Sequence, residues 1–156
     1  MPTLIQNTPA LLIPKELFNE EKIREYWNVL HPVSHLENLG KDDLENFFLL
    51  YPKPNDEDSI HEISILNKEF REKFPNNEHA VCMNVYEDGF NLLVIKNREI
   101  VYTGYFRLSV KEDVLYHLAN ASQHFFEDIS AVVFAYQQLP AAVLRLLDNY
   151  FDMKKI

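Results

Sequence analysis

With 156 residues, 47% apolar and 25% charged, the chain has the balance of a globular protein with a conventional hydrophobic core, not that of a disordered segment. Its 24 acidic and 15 basic residues give a net charge of −9, so nucleic acid and anionic lipid are repelled on average; Lys96 with Arg98 and Lys154 with Lys155 are too short to make a basic stripe. The single Cys82 excludes an internal disulfide, and no run approaches the roughly 18 uninterrupted apolar residues of a membrane span or resembles a leader, so a cytoplasmic protein with no membrane partner is expected.

Ala10 to Ile13 is a short apolar strand closed by Pro14. Asn19 is an N-cap for a helix through about Leu30, whose stripe is Ile23, Tyr26, Trp27 and Leu30. A polar stretch holding Gly40, Lys41 and Asp42 reads as a connection, and Phe47 to Tyr51 as a buried strand ended by Pro52 and Pro54. After the acidic, exposed segment from Asn55 to Asp58, Ser59 and Glu62 have the spacing of a capping box. The helix they open carries Ile63, Leu66, Phe70 and Phe74 on one face, and Pro75, Asn76 and Asn77 end it. Residues 1–76 are thus predicted as a partial first lobe of strand, helix, strand and helix.

Beyond that turn the periodicity switches from helix to strand. Val81, Met83 and Val85 alternate with Cys82, Asn84 and Tyr86, with Cys82 read as core filler. Asp88-Gly89 is a hairpin signal, since a type I′ turn needs positive φ at both central positions. Phe90 to Ile95 is the next strand, and Asn97-Arg98 a weaker turn into Ile100 to Phe106, completing a three-stranded antiparallel meander. Ser109 and Glu112 form another capping-box pair, for a helix carrying Val110, Val114, Leu115, Leu118, Ala119, Phe125 and Phe126. Ile129 to Tyr136 is a strand with an apolar centre, and Pro140 suits the first position of a last helix reaching about Tyr150. Residues 77–156 are thus predicted as a second lobe, β-β-β-α-β-α.

That order is the core of a ribonuclease-H-like half-domain, two of which make the actin-like ATPase fold. The expected class is therefore α/β, a mixed sheet with an antiparallel meander and flanking helices. The chain also resembles an uncharacterised bacterial family, domain of unknown function 3822, of that fold. The resemblance lies in Ala10-Leu-Leu-Ile-Pro-Lys-Glu-Leu-Phe18, and in Val101-Tyr-Thr-Gly-Tyr-Phe106 followed by Lys111-Glu-Asp-Val-Leu-Tyr116. It implies a meander before Ala10 and a strand after Tyr150, and the chain has room for neither. A fragment or a divergent short relative is the expectation, with the first lobe's sheet left bare or completed by another chain.

The resemblance also implies where a nucleotide would sit, because actin-like ATPases hold phosphates against glycine-bearing hairpin turns. In Tyr86-Glu-Asp-Gly-Phe-Asn91 the positions that correspond are Asp88 and Gly89. They read as a vestigial phosphate hairpin, with Asp88 directing magnesium or water, or more plainly as an ordinary Asp-Gly turn. At the adenosine turn a Gly-Gly pair is replaced by Ala135-Tyr-Gln-Gln-Leu-Pro140, and the chain has three glycines in all. No cofactor is expected.

Other candidates carry less. His31 and His35 share a helical spacing but flank Pro32, with no third ligand nearby, so no metal is expected. His117 and His124 lie on the polar side of their helix among Tyr116, Asn120 and Gln123, as a solvated face or a partner-facing one. The Glu-Asp pairs near element starts, Glu112-Asp113 among them, read as structural. No nucleophile stands beside a base, so no catalytic residue is assigned. The function expected is a non-catalytic binding or scaffold protein contacting another protein or a second copy of itself. The alternative is an ATP-dependent phosphotransferase or ATPase whose site another chain completes.

Overall fold

The computed structural model describes residues 1–30, 38–127, 133–135 and 139–156. Thr3–Ile5 (β1) pairs in parallel with Ser59–His61 (β5). Leu11–Pro14 (β2), Asn38–Leu44 (β3) and Phe47–Lys53 (β4) form an antiparallel sheet in the order β2-β4-β3. Ile23–Leu30 (α1) stands between β2 and β3, and Asn19 caps the 3-10 turn that leads into it, its side chain accepting from Glu21 N–H at 3.0 Å. Glu62–Lys73 (α2) follows β5 directly.

The remainder is a five-stranded sheet with helices. Ala80–Val85 (β6), Gly89–Lys96 (β7) and Glu99–Arg107 (β8) make the expected meander, and Glu112–Phe125 (α3) crosses over to Val133–Ala135 (β9). Ala141–Asp148 (α4) then leads to Met153–Lys155 (β10). The order is β10-β9-β6-β7-β8, with β9 parallel to both β6 and β10.

This sheet is covered on both faces. On one side Val81, Met83, Phe90, Leu92 and Val94 meet Val114 and Leu118 of α3 and Val143 and Leu147 of α4. On the other, Cys82, Leu93 and Ile95 share a core with Ile63, Leu66 and Phe70 of α2, and with Leu49 and Tyr51 of β4. Strands buried on both faces read as continuous apolar runs, which is why β6 and β7 stand out in the sequence. Ile63, Leu66 and Phe70 are almost wholly withdrawn from water, each contributing roughly 1.5–3 kcal/mol.

Several boundaries differ from expectation, each for a local reason. The polar stretch from Gly40 to Asp42 is part of β3, not a connection. Gly40, Asp42 and Leu44 face inward while Lys41 and Asp43 face out, so the alternation is present, but only Leu44 of the inward set is a large apolar residue. Gly40 is cross-strand from Tyr51, whose ring occupies the space a side chain would need: a Cβ there would collide with Tyr51 Cε2. The strand after Tyr150, for which no room was expected, is β10. It needs only three residues, is preceded by the buried Phe151, and is held by Lys73 Nζ donating to Lys155 O at 2.7 Å.

The two hairpin turns exchange roles. Neither Asp88 nor Gly89 has positive φ; three residues separate β6 from β7, and Tyr86 N–H donates to Gly89 O at 2.8 Å. The two-residue loop with both positions left-handed is instead Asn97 (φ 52°) and Arg98 (φ 68°). Arg98 tolerates this strain while its guanidinium donates to Pro75 O at 2.8 Å.

The caps are also reassigned. His61, not Ser59, caps α2, its ring accepting from Ile63 N–H at 3.1 Å, because Ser59 lies in β5. At α3, Asp113 accepts from Ser109 and Val110 N–H at 2.8 and 3.1 Å, and these bonds hold its carboxyl below the usual range. Pro140 is the extended residue before α4 rather than its first helical position.

Cys82 is fully buried, and burial pushes its thiol up, out of reach of ionisation near neutral pH. A thiol reagent should therefore leave the folded protein unlabelled and modify one thiol per chain after urea unfolding. Labelling in the absence of denaturant would show that this core opens.

Candidate functional site

The polar groups concentrate where β1, β5 and the N-terminus of α2 meet the meander. Glu62, first residue of α2, is fully buried. Its Oε1 accepts from Asn91 Nδ2 at 2.6 Å, and its Oε2 from the Tyr86 hydroxyl at 2.5 Å and from Asn7 N–H at 3.2 Å. Burial pushes the carboxyl pKa up, opposed by the bonds from Tyr86, Asn91, Asn7 and Asn84. The start of a helix is also a favourable place for negative charge.

Next to it, the buried His61 bonds through both ring nitrogens. Because Nδ1 accepts from Ile63 N–H, the ring proton is on Nε2, which donates to Thr8 O at 2.9 Å. Asn91 Nδ2 reaches the same carbonyl at 3.2 Å. Burial lowers the His61 pKa to about 4. Asp42 lies behind it: Oδ1 accepts from the Tyr51 hydroxyl at 2.7 Å, and Oδ2 from His61 N–H at 2.8 Å and the Ser64 hydroxyl at 2.5 Å. Asp42 bonds the backbone of His61 and not its ring, so the two are not an acid–base dyad. The arrangement ties segments together; its polar atoms are turned on one another.

The sequence-predicted positions lie at the outer end of this network. Asp88 is exposed, and its Oδ1 accepts from Asn7 Nδ2 at 2.8 Å. Asn7 is itself left-handed, at φ 50°, and its Oδ1 accepts from the Tyr105 hydroxyl at 3.0 Å. Gly89 is buried beneath both. A Cβ on Gly89 would stand 2.5 Å from the Tyr105 hydroxyl and 2.7 Å from Asn7 Oδ1. The absent side chain thus makes room for Tyr105 and Asn7.

His117 and His124 do not simply face solvent. With Tyr102, Phe106, Asn120 and Phe125 they line a cleft of about 490 Å³ between α3 and β8, where the His117 ring stacks on Phe106 with centroids 4.0 Å apart. The adenosine-turn residues Tyr136, Gln137 and Gln138, and the His31 and His35 pair, lie outside the described residues. Among the described residues no group of three or more His, Cys, Asp or Glu is placed to hold a metal, and no helix is long and apolar enough to cross a membrane.

No local pattern of residues signals the interior network. Glu62 has the look of a cap residue, His61 stands alone, and Asn7 lies in a segment to which no element was assigned. Pairings at separations such as 29 residues for Glu62 with Asn91 are set by the tertiary fold.

The meander, the crossover helix and the two parallel strands are those of the actin-like ATPase fold. A solved structure bears this out: a Bacteroides thetaiotaomicron protein with actin-like ATPase fold and unknown function is similar over 98% of this chain, with a TM-score of 0.79 and 14% identity. This chain spans 66% of that protein's length. No protein-family model matches the sequence, and no curated protein does.

Glu62→Ala should lower the free energy of unfolding by about 3 kcal/mol, because three donors lose their buried acceptor. Glu62→Gln should cost less, since an amide oxygen still accepts from Asn91; urea titration measures both. For His61, a folded pKa of about 4 against 6.5 means that the folded state resists protonation. Its contribution is complete above about pH 6.5 and falls by about 3 kcal/mol as the pH drops toward 4. His61→Asn keeps a cap acceptor and cannot titrate, so its stability should fall less than that of the wild type over this range. Parallel pH profiles would refute the assignment.

Proposed function

We propose that the chain is a non-catalytic binding protein that uses the actin-like framework for contacts with other proteins. The observation that carries this reading is the closed space over Gly89. A phosphate held in such a hairpin must approach bare main chain, and here the Tyr105 hydroxyl and the Asn7 amide stand within 2.7 Å of where even one further carbon would lie. Glu62 fixes the Asn7 backbone, so admitting a polyphosphate requires the interior network to be rebuilt. Asp88 and Gly89 are on this reading the vestige of a phosphate hairpin, with Asp88 spent on Asn7.

The patches Ala10 to Phe18 and Val101 to Tyr116 support assignment to domain of unknown function 3822, and with it a bacterial, cytoplasmic protein. The net charge of −9 supports protein partners over nucleic acid or anionic membrane.

A ligand present at a hundred times its dissociation constant stabilises the folded state by about 2.7 kcal/mol. Thermal melts with and without millimolar magnesium-ATP should coincide. A rise of several degrees would replace the binding-protein reading with that of a nucleotide-dependent enzyme.

A further inference from the structure

The cleft between α3 and β8 is walled by rings and by polar groups that the fold leaves unbonded. On the α3 side His117, Asn120 and His124 follow at intervals of three and four residues, which keeps them on one face of the helix over two turns, roughly 10 Å. On the β8 side Tyr102 and Phe106 are four residues apart and so share a face of the strand, with Gly104 between them. A Cβ on Gly104 would stand 2.5 Å from the Tyr102 hydroxyl and 2.9 Å from its ring. The Tyr102 ring therefore lies along the strand over the glycine and carries its hydroxyl toward Phe106, into the cleft. Each end is closed by a ring pair: His117 is stacked on Phe106, and Phe125 lies against Tyr102 with centroids 5.4 Å apart.

The Tyr102 hydroxyl, the His117 and His124 imidazoles and the Asn120 amide have no hydrogen-bond partner among the described residues. Burial alone pushes the Tyr102 phenol up. Each of these four side chains can donate, and among the described residues lining the cleft none is a carboxylate. Asp113, one turn before His117, is turned instead to Ser109 and Val110 N–H. Donors gathered between ring faces suit a flat apolar body that carries an acceptor with several lone pairs. We propose that the cleft binds an aryl carboxylate of one or two rings. The ring lies between the two ring pairs, and the carboxylate accepts from the Tyr102 hydroxyl, the His117 imidazole and the Asn120 amide. At about 490 Å³ the cleft has the size of a small-molecule site. The inference goes beyond the protein-contact reading and does not rest on it, since Tyr105 and the hairpin it closes lie on the other face of β8.

Isothermal titration with indole-3-acetate, a two-ring acid, should give saturable binding with a Kd below about 1 mM. Indole, which lacks the carboxylate, and cyclohexylacetate, which lacks the ring face, should each bind about tenfold more weakly or worse. Tyr102→Phe and His117→Phe keep a ring in place and remove a donor, so each should lower the affinity for indole-3-acetate by about tenfold with the circular-dichroism spectrum unchanged. Indole-3-acetate that gives no saturable heat at millimolar concentration, that binds no better than indole, or that keeps its affinity in either variant overturns the proposal. The magnesium-ATP melt reports on the hairpin instead, so a chain that ignores both ligands would sink this site while leaving the binding-protein reading in place.

Discussion

A carboxylate without water around it must find donors in the protein, and Glu62 draws them from three separate stretches of chain: Asn7, Tyr86 and Asn91. The cost of an unpaired buried charge is several kcal/mol, a large fraction of a domain's stability, so these segments are not free to drift apart. Glu62 opens α2, and α2 fills the space between the small antiparallel sheet and the inner face of the large one. The position of one side chain therefore couples the segment after β1, the helix and the meander. The Thr8 carbonyl extends the tie, since it takes bonds from both His61 and Asn91.

The same constraint governs the hairpin between β6 and β7. With its N–H held by Glu62, Asn7 sits in a left-handed conformation that an asparagine tolerates better than most residues, and its side chain is aimed at Asp88 and Tyr105. Tyr105 comes from β8 and reaches across the sheet edge to the same amide. Gly89 is buried beneath them without positive φ, so the demand for glycine there is steric rather than conformational.

The sequence made legible the elements whose pattern is local. β6, β7, β8 and α3 appear as apolar runs and helical stripes because the large sheet is buried on both faces and its helices on one. β3 is hard to see in the sequence because two of its three inward positions are Gly40 and Asp42: one makes room for the Tyr51 ring, the other is bonded to Tyr51, His61 and Ser64. β10 was missed because three residues, two of them Lys, carry no strand pattern of their own. The Asp-Gly pair attracted the type I′ assignment that belongs to Asn97-Arg98, because residue preference is blind to a linker longer by one residue. Asp88 and Gly89 stand out in the sequence as a turn, but the Asn7 and Tyr105 groups above them do not, because they arrive from 81 and 16 residues away in sequence.

What distinguishes β8 is that its two sides have opposite fates. On the face toward Asn7, the Tyr105 side chain is consumed in closing the hairpin; along its outer edge, the main chain of Thr103, Tyr105 and Arg107 points away from β7, since Leu108 N–H donates to Asp88 O, and no described strand is hydrogen-bonded to it there. Side-chain direction and main-chain direction in a strand are perpendicular, so a residue can serve the interior with one and a neighbour with the other. Tyr105 does this: moving its ring would disturb the lid over Gly89, whereas adding a strand beside it would not. The hairpin and the edge are in this sense independent, and a chain whose hairpin is filled still retains the capacity of its edge to form main-chain hydrogen bonds.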